Sequence, residues 1–107
     1  MRILFDQGTP LPLRRYLRPH SVDTVFEQGW SILVNGELLA TAVQDGYDVF
    51  ITTDQNLKHQ QNLTELRLGI VVLLSTSWPR IQDKIEDILI ALDKASKGTL
   101  VEVSIIQ

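Results

Sequence analysis

The sequence predicts an α/β domain, a three-layer α/β/α sandwich around a central, mostly parallel sheet of about five strands. Three observations carry that prediction. Five short runs are rich in branched or aromatic residues, the segments between them have helical spacing, and the near-continuous apolar run "GIVVLL" at 69–74 suits a central strand covered on both faces. Strands separated by helices pair in parallel through right-handed crossovers.

The strands are read at "RILF" 2–5, "SVDTV" 21–25, "DVFIT" 48–52, "GIVVLL" 69–74 and "LVEVSI" 100–105. A first helix is expected over 10–18. It carries Leu11, Leu13, Tyr16 and Leu17, with Thr9 as N-cap and Pro10 at the first helical position, where a missing N–H costs nothing. A second, over 35–45, rests on the stripe Leu38, Leu39, Ala42 and Val43, with Asn35 as cap and Gly46 as stop. The "NG" at 35–36 is also a hairpin cue, but "ELLATAVQDG" after it is helix-forming and does not alternate. The third, over 79–97, has Ile81, Ile85, Ile88, Leu89, Leu92 and Ala95 recurring at three and four, with Pro79 near its start and Gly98 beyond its end.

The 107 residues fit one domain, 1–107, and leave no room for a second. Hydrophobic residues at 44% and charged residues at 21% are ordinary for a globular protein and argue against disorder. With no cysteine, disulfides, thiolate zinc sites and cysteine nucleophiles are excluded. The start "MRILFDQG" reaches an acid too soon for a signal peptide, and no apolar run approaches the roughly 20 residues of a spanning helix, so a cytoplasmic protein without membrane association is expected. A net charge of −3 does not advertise non-specific nucleic-acid binding, although a local basic patch is compatible with it.

In such sheets ligands bind outside the carboxyl ends of the strands, near the point where strand order reverses. Asp6 directly follows the first strand and Asp54 the third, while Glu37 lies in the first turn of the helix that enters from the same rim. Three carboxylates without a His or Cys cluster suit a hard ion such as Mg²⁺ or Mn²⁺, which activates water and stabilises a leaving oxygen in phosphodiester hydrolysis. The competing reading is structural: Asp6 and Asp54 as caps or Asx-turns, and Glu37 as an acid favoured by the helix dipole.

Arg14, Arg15 and Arg18 fall near that rim and are candidates for phosphate contacts, extended by Lys58 and His59. The alternative for them is a solvated helix face. His20 and His59 lack paired metal spacing and read as exposed loop residues. The amide-rich "QNLKHQQN" suits substrate contacts or a polar loop. Trp30 and Trp78 read as packing residues, with base stacking by an exposed Trp30 as the other possibility.

The ordered combination "RILFDQGTP", "HSVDTVFEQGW", "NGELLATAVQDGYDVFITTDQNLKHQQNL" and "GIVVLL" resembles the short bacterial PIN-like proteins, a family of predicted toxin nucleases long listed as of unknown function, over nearly the whole chain. The resemblance implies an acidic cluster at the carboxyl edge of a parallel sheet that binds Mg²⁺ or Mn²⁺ and cuts RNA, often as the toxin of a toxin–antitoxin pair. By position it implies that Asp6, Glu37 and Asp54 are the metal-binding catalytic residues. Gln7 and Asn56 stand where relatives commonly carry further acids, which leaves their amide oxygens as auxiliary ligands and makes a second ion less plausible.

The expected function is therefore a metal-dependent ribonuclease, with RNA and an antitoxin protein as partners. The alternative is a relative that binds RNA or a protein without cleaving. A phospho-receiver with Asp54 as acceptor fits less well, because Gln7 replaces one acid of the pair needed after the first strand and no Lys follows the last strand. The apolar terminus "LVEVSIIQ" suggests pairing with another sheet edge, hence a homodimer.

Overall fold

The computed structural model describes residues 1–60 and 62–105, apart from the side chains of Asn35 and Gln60. The order is β1 (Arg2–Phe5), the 3₁₀ helix η1 (Leu11–Leu17), β2 (Ser21–Thr24), α1 (Asn35–Gln44), β3 (Val49–Thr52), α2 (Leu57–Gln60), the 3₁₀ turn η2 (Leu63–Glu65), β4 (Gly69–Leu73), α3 (Trp78–Gln82), α4 (Ile85–Lys94) and β5 (Leu100–Val103). The strands form one sheet in the order β2-β1-β3-β4-β5, and every neighbouring pair is parallel.

Alternation along each strand divides the core between the two faces. Ile3, Phe5, Val49, Ile51, Val71 and Leu73 face one side and meet η1 through Leu13 and Leu17, and α3 and α4 through Ile81, Ile88 and Leu92. Leu4, Phe50, Ile70 and Val72 face the other and meet α1 through Leu38, Leu39 and Ala42, and α2 through Leu57. β3 and β4 are buried at every position, as strands covered on both faces must be.

Several expectations are corrected. The 10–18 segment is 3₁₀ rather than α-helical. Pro10 occupies its N-cap position and Pro12 its first turn, the Leu13 N–H donates to the Pro10 carbonyl three residues back at 3.1 Å, and the Thr9 hydroxyl does not cap but donates to the Ile51 carbonyl at 2.9 Å. The N-cap position of α1 falls on Val34 rather than Asn35, while Gly46, with φ of 86°, ends the helix as expected. The 79–97 segment is two helices, because the backbone leaves helical geometry at Lys84 (φ −118°, ψ 25°), and the second ends at Lys94.

The crossovers also differ from expectation. The β1–β2 and β4–β5 connections cross on the same face but run in opposite directions along the sheet, so the four crossovers cannot all be right-handed. The exception has a packing return: α3 and α4 cover a face that η1 alone would leave largely open. No helix among the described residues is long and apolar enough to cross a membrane. Residues 106–107 of the apolar terminus, on which the homodimer expectation partly rests, lie outside the described residues, as does Gln61 of the amide-rich run.

Candidate functional site

Strand order reverses between β1 and β3: the chain moves outward from β1 to β2, then returns past β1 to β3. Both β1 and β3 are interior strands, and their carboxyl ends deliver Asp6 and the Thr52–Asp54 segment to this switch point, where open α/β sheets bind ligands.

Thr52 joins the Asp6 carboxylate to the Asp54 backbone. Its side chain is fully buried, and its hydroxyl donates to Asp6 Oδ2 at 2.8 Å and accepts from the Asp54 backbone N–H at 3.0 Å. Asp6 is further fixed by its own N–H, which donates to the Ile51 carbonyl at 2.9 Å, and by the Gln7 N–H, which donates to Asp6 Oδ1 at 2.9 Å. Asp54 Oδ1 accepts the Asn56 N–H at 3.0 Å, the Asx-turn that the structural reading anticipated. Each carboxylate oxygen so engaged has a second lone pair for another partner. The loops after β1 and β3 touch closely: a Cβ on Gly8 would lie 2.6 Å from Thr53 Oγ1, so glycine lets the "DQG" turn settle against the β3 loop.

Glu37 sits in the first turn of α1 with its side chain exposed. Among the described residues no group of three or more His, Cys, Asp or Glu stands arranged to hold a metal ion. Thr52 thus links the Asp6 carboxylate to the backbone of Asp54, and Glu37 is not joined to them. Gln7 and Asn56 are exposed beside their acids, each lending a backbone N–H to the neighbouring carboxylate.

The basic residues divide. Arg14 donates to Glu27 Oε1 at 2.5 Å, and Lys58 to Glu102 Oε2 at 3.0 Å, so both form partly exposed ion pairs within the protein. Arg15 and Arg18 are exposed and, with Arg14 and His20, line a cleft of about 860 Å³ beside η1. His20 is half-buried and His59 lies in α2, so neither is the exposed loop residue expected. Both tryptophans pack. Trp30 meets Tyr47 edge-on with ring centres 6.0 Å apart, and Trp78 meets Tyr16 at 5.8 Å.

A second cavity, about 530 Å³, opens on the β2 side of Asp6, lined by Gln7, Thr9, Leu11, Thr24, Phe26 and Glu27. Glu27, like Thr52, is a residue that sequence reasoning missed. It forms a reciprocal capping box: Glu27 Oε1 accepts the Thr24 N–H and the Glu27 N–H donates to Thr24 Oγ1, both at 3.0 Å. The Thr-x-x-Glu spacing of "TVFE" was the available signal. The hydrogen bond from Arg14, and then that from the Thr24 backbone, hold the Glu27 carboxyl below its ordinary value.

Comparison with known proteins adds no family: no family model, no curated protein and no solved structure matches this chain.

Proposed function

We propose that this protein is a Mg²⁺- or Mn²⁺-dependent ribonuclease of the PIN-like type, acting as the toxin of a toxin–antitoxin pair. The observation that supports the reading is the Thr52 bridge, which ties the Asp6 carboxylate to the backbone of Asp54, residues that follow neighbouring strand ends at the switch point of a parallel sheet. The donor chemistry suits one hard ion: Asp6 and Asp54 carry carboxylate oxygens, the residues Gln7 and Asn56 beside them in sequence carry amide oxygens, and Mg²⁺ commonly takes only one or two protein carboxylates, with water and substrate phosphate completing its shell.

Such an ion, when bound, supplies positive charge to a phosphodiester oxygen and lowers the pKa of a water. The chain's own contribution is positional. Thr52 holds Asp6, the Gln7 N–H fixes the other Asp6 oxygen, and the Asx-turn holds Asp54, so both acids meet a substrate in set orientations.

The test is cleavage of a mixed single-stranded RNA pool by the purified protein in Mg²⁺, Mn²⁺ or EDTA, with Asp6→Asn and Asp54→Asn alongside and folding checked by circular dichroism. Metal-dependent cutting that both substitutions abolish supports the nuclease, and Asn56→Asp should then raise the rate by adding a carboxylate beside Asp54. The second reading, binding without cleavage, draws on Gln7 and Asn56 standing where the resemblance places further acids. Folded wild-type protein that cuts nothing in either metal would favour it.

A further inference from the structure

The cleft beside η1 and the cavity at Asp6 are adjoining parts of one surface, because Leu11 lines both. Their chemistry differs along that surface. At the η1 end Arg15 and Arg18 are exposed cations without an ion pair among the described residues, whereas Arg14 is spent on Glu27. At the other end Phe26 stands 78% exposed on the wall of the Asp6 cavity. An aromatic side chain left this bare forgoes the burial that ordinarily places phenylalanine in a core, and its neighbour Val25 is buried in the usual way.

We infer that this continuous surface is the binding path of a single-stranded polynucleotide, with backbone phosphates on Arg15 and Arg18 and a base stacked on Phe26 beside Asp6. The inference deepens the nuclease reading and rests on it for the direction of the path toward Asp6. Guanidinium groups meet phosphate oxygens by paired, charge-assisted hydrogen bonds, and an exposed ring accepts any base face without selecting its sequence. A duplex keeps its bases stacked inside and cannot lay one on Phe26, so the path discriminates for single strands. An acidic peptide would use the two arginines and gain little from the ring, which makes it the weaker occupant.

The experiment is fluorescence-anisotropy titration of labelled 12-nucleotide single-stranded RNA and DNA in EDTA, where cleavage does not intervene. A duplex of the same sequence and a polyglutamate peptide serve as competitors. For the Arg15→Gln, Arg18→Gln double variant, the slope of log affinity against log salt should shrink by about 1.4, and affinity at ~0.15 M salt should fall about tenfold, as expected for two lost phosphate contacts on a single strand. Phe26→Ala should weaken binding by roughly tenfold with the salt slope unchanged, the mark of a lost stacking contact. All three positions are exposed, so the variants should keep the wild-type circular dichroism spectrum.

Unchanged affinity in the folded double variant, or equal competition by duplex or polyglutamate, would overturn the path. Loss of binding in these variants with no cleavage by wild type would keep the path and remove the nuclease. Metal-dependent cleavage with binding indifferent to Arg15, Arg18 and Phe26 would do the reverse.

Discussion

Replacing Thr52 by valine tests the centre at its joint. Valine has nearly the shape of threonine, so the fully buried site stays filled and the change is the exchange of a hydroxyl for a methyl. Two hydrogen bonds go with it, one to the Asp6 carboxylate at 2.8 Å and one from the Asp54 N–H at 3.0 Å. A bond to a charged group contributes about 1.5–3 kcal/mol and a neutral one about 1 kcal/mol. Burying the added methyl returns about 1 kcal/mol. The net cost is then about 2 kcal/mol, which for a domain of this size lowers Tm by roughly 10 °C. Urea denaturation followed by circular dichroism would read the free energy, and a thermal melt the shift.

The control is Thr52→Ser, which keeps the hydroxyl and gives up one buried methyl, at about 1 kcal/mol. Serine should be the more stable of the two variants and keep most of any metal-dependent cleavage, while valine loses it. If packing alone mattered, valine would match the wild type and exceed serine. That order would refute the reasoning that Thr52 holds the two acids through its hydroxyl.

Burial first, and then the hydrogen bond donated to Asp23 Oδ2 at 2.7 Å, push the Tyr47 phenol well above its ordinary 10.0. A folded value above the unfolded one means stability that is complete below pH ~10 and declines as pH rises beyond it, so the wild-type urea midpoint should drop in that range. In Tyr47→Phe, which starts about 1 kcal/mol lower, Tyr47's share of that drop should vanish. Glu27 has the opposite sign: its depressed value gives stability that is present above its ordinary 4.5 and disappears as pH falls below it. Urea midpoints of wild type and Glu27→Gln should therefore differ modestly at pH 7, since the Arg14 pair is partly exposed, and draw together as pH falls through the lowered folded value. Gly69→Ala should cost about 1–3 kcal/mol in the same assay, because the new Cβ would lie 2.8 Å from the Ala95 carbonyl oxygen and backbone must move to admit it.

The strands were legible because their apolar runs are short, branched and bounded by turn residues, and each begins or ends within two residues of its expected bound. α1 was equally plain from its stripe and its glycine stop. Periodicity could not show the break at Lys84, since Ile81, Ile85 and Ile88 keep helical spacing across it. Nor could it show that the first helix, Leu11–Leu17, is 3₁₀ rather than α.

At the site, Asp6 and Asp54 were readable from their positions after strands, but Thr52 was not. It looks like one more β-branched strand residue until β1 is placed beside β3. The ion pairs of Lys58 and Arg14 were hidden for a related reason. Their partners lie 44 and 13 residues away, and only the folded sheet reveals those pairings.

The bond from Thr52 to Asp6 spans 46 residues. A ribosome adding about 5–20 residues per second exposes Asp6 roughly 2–9 s before Thr52 follows. In that interval β1 has no β3 beside it, and the paired acids do not yet exist. A chain cut short anywhere between them carries Asp6 without the Thr52 bridge. The contact between the two strand ends forms only once both crossovers from β1 to β3 have been made.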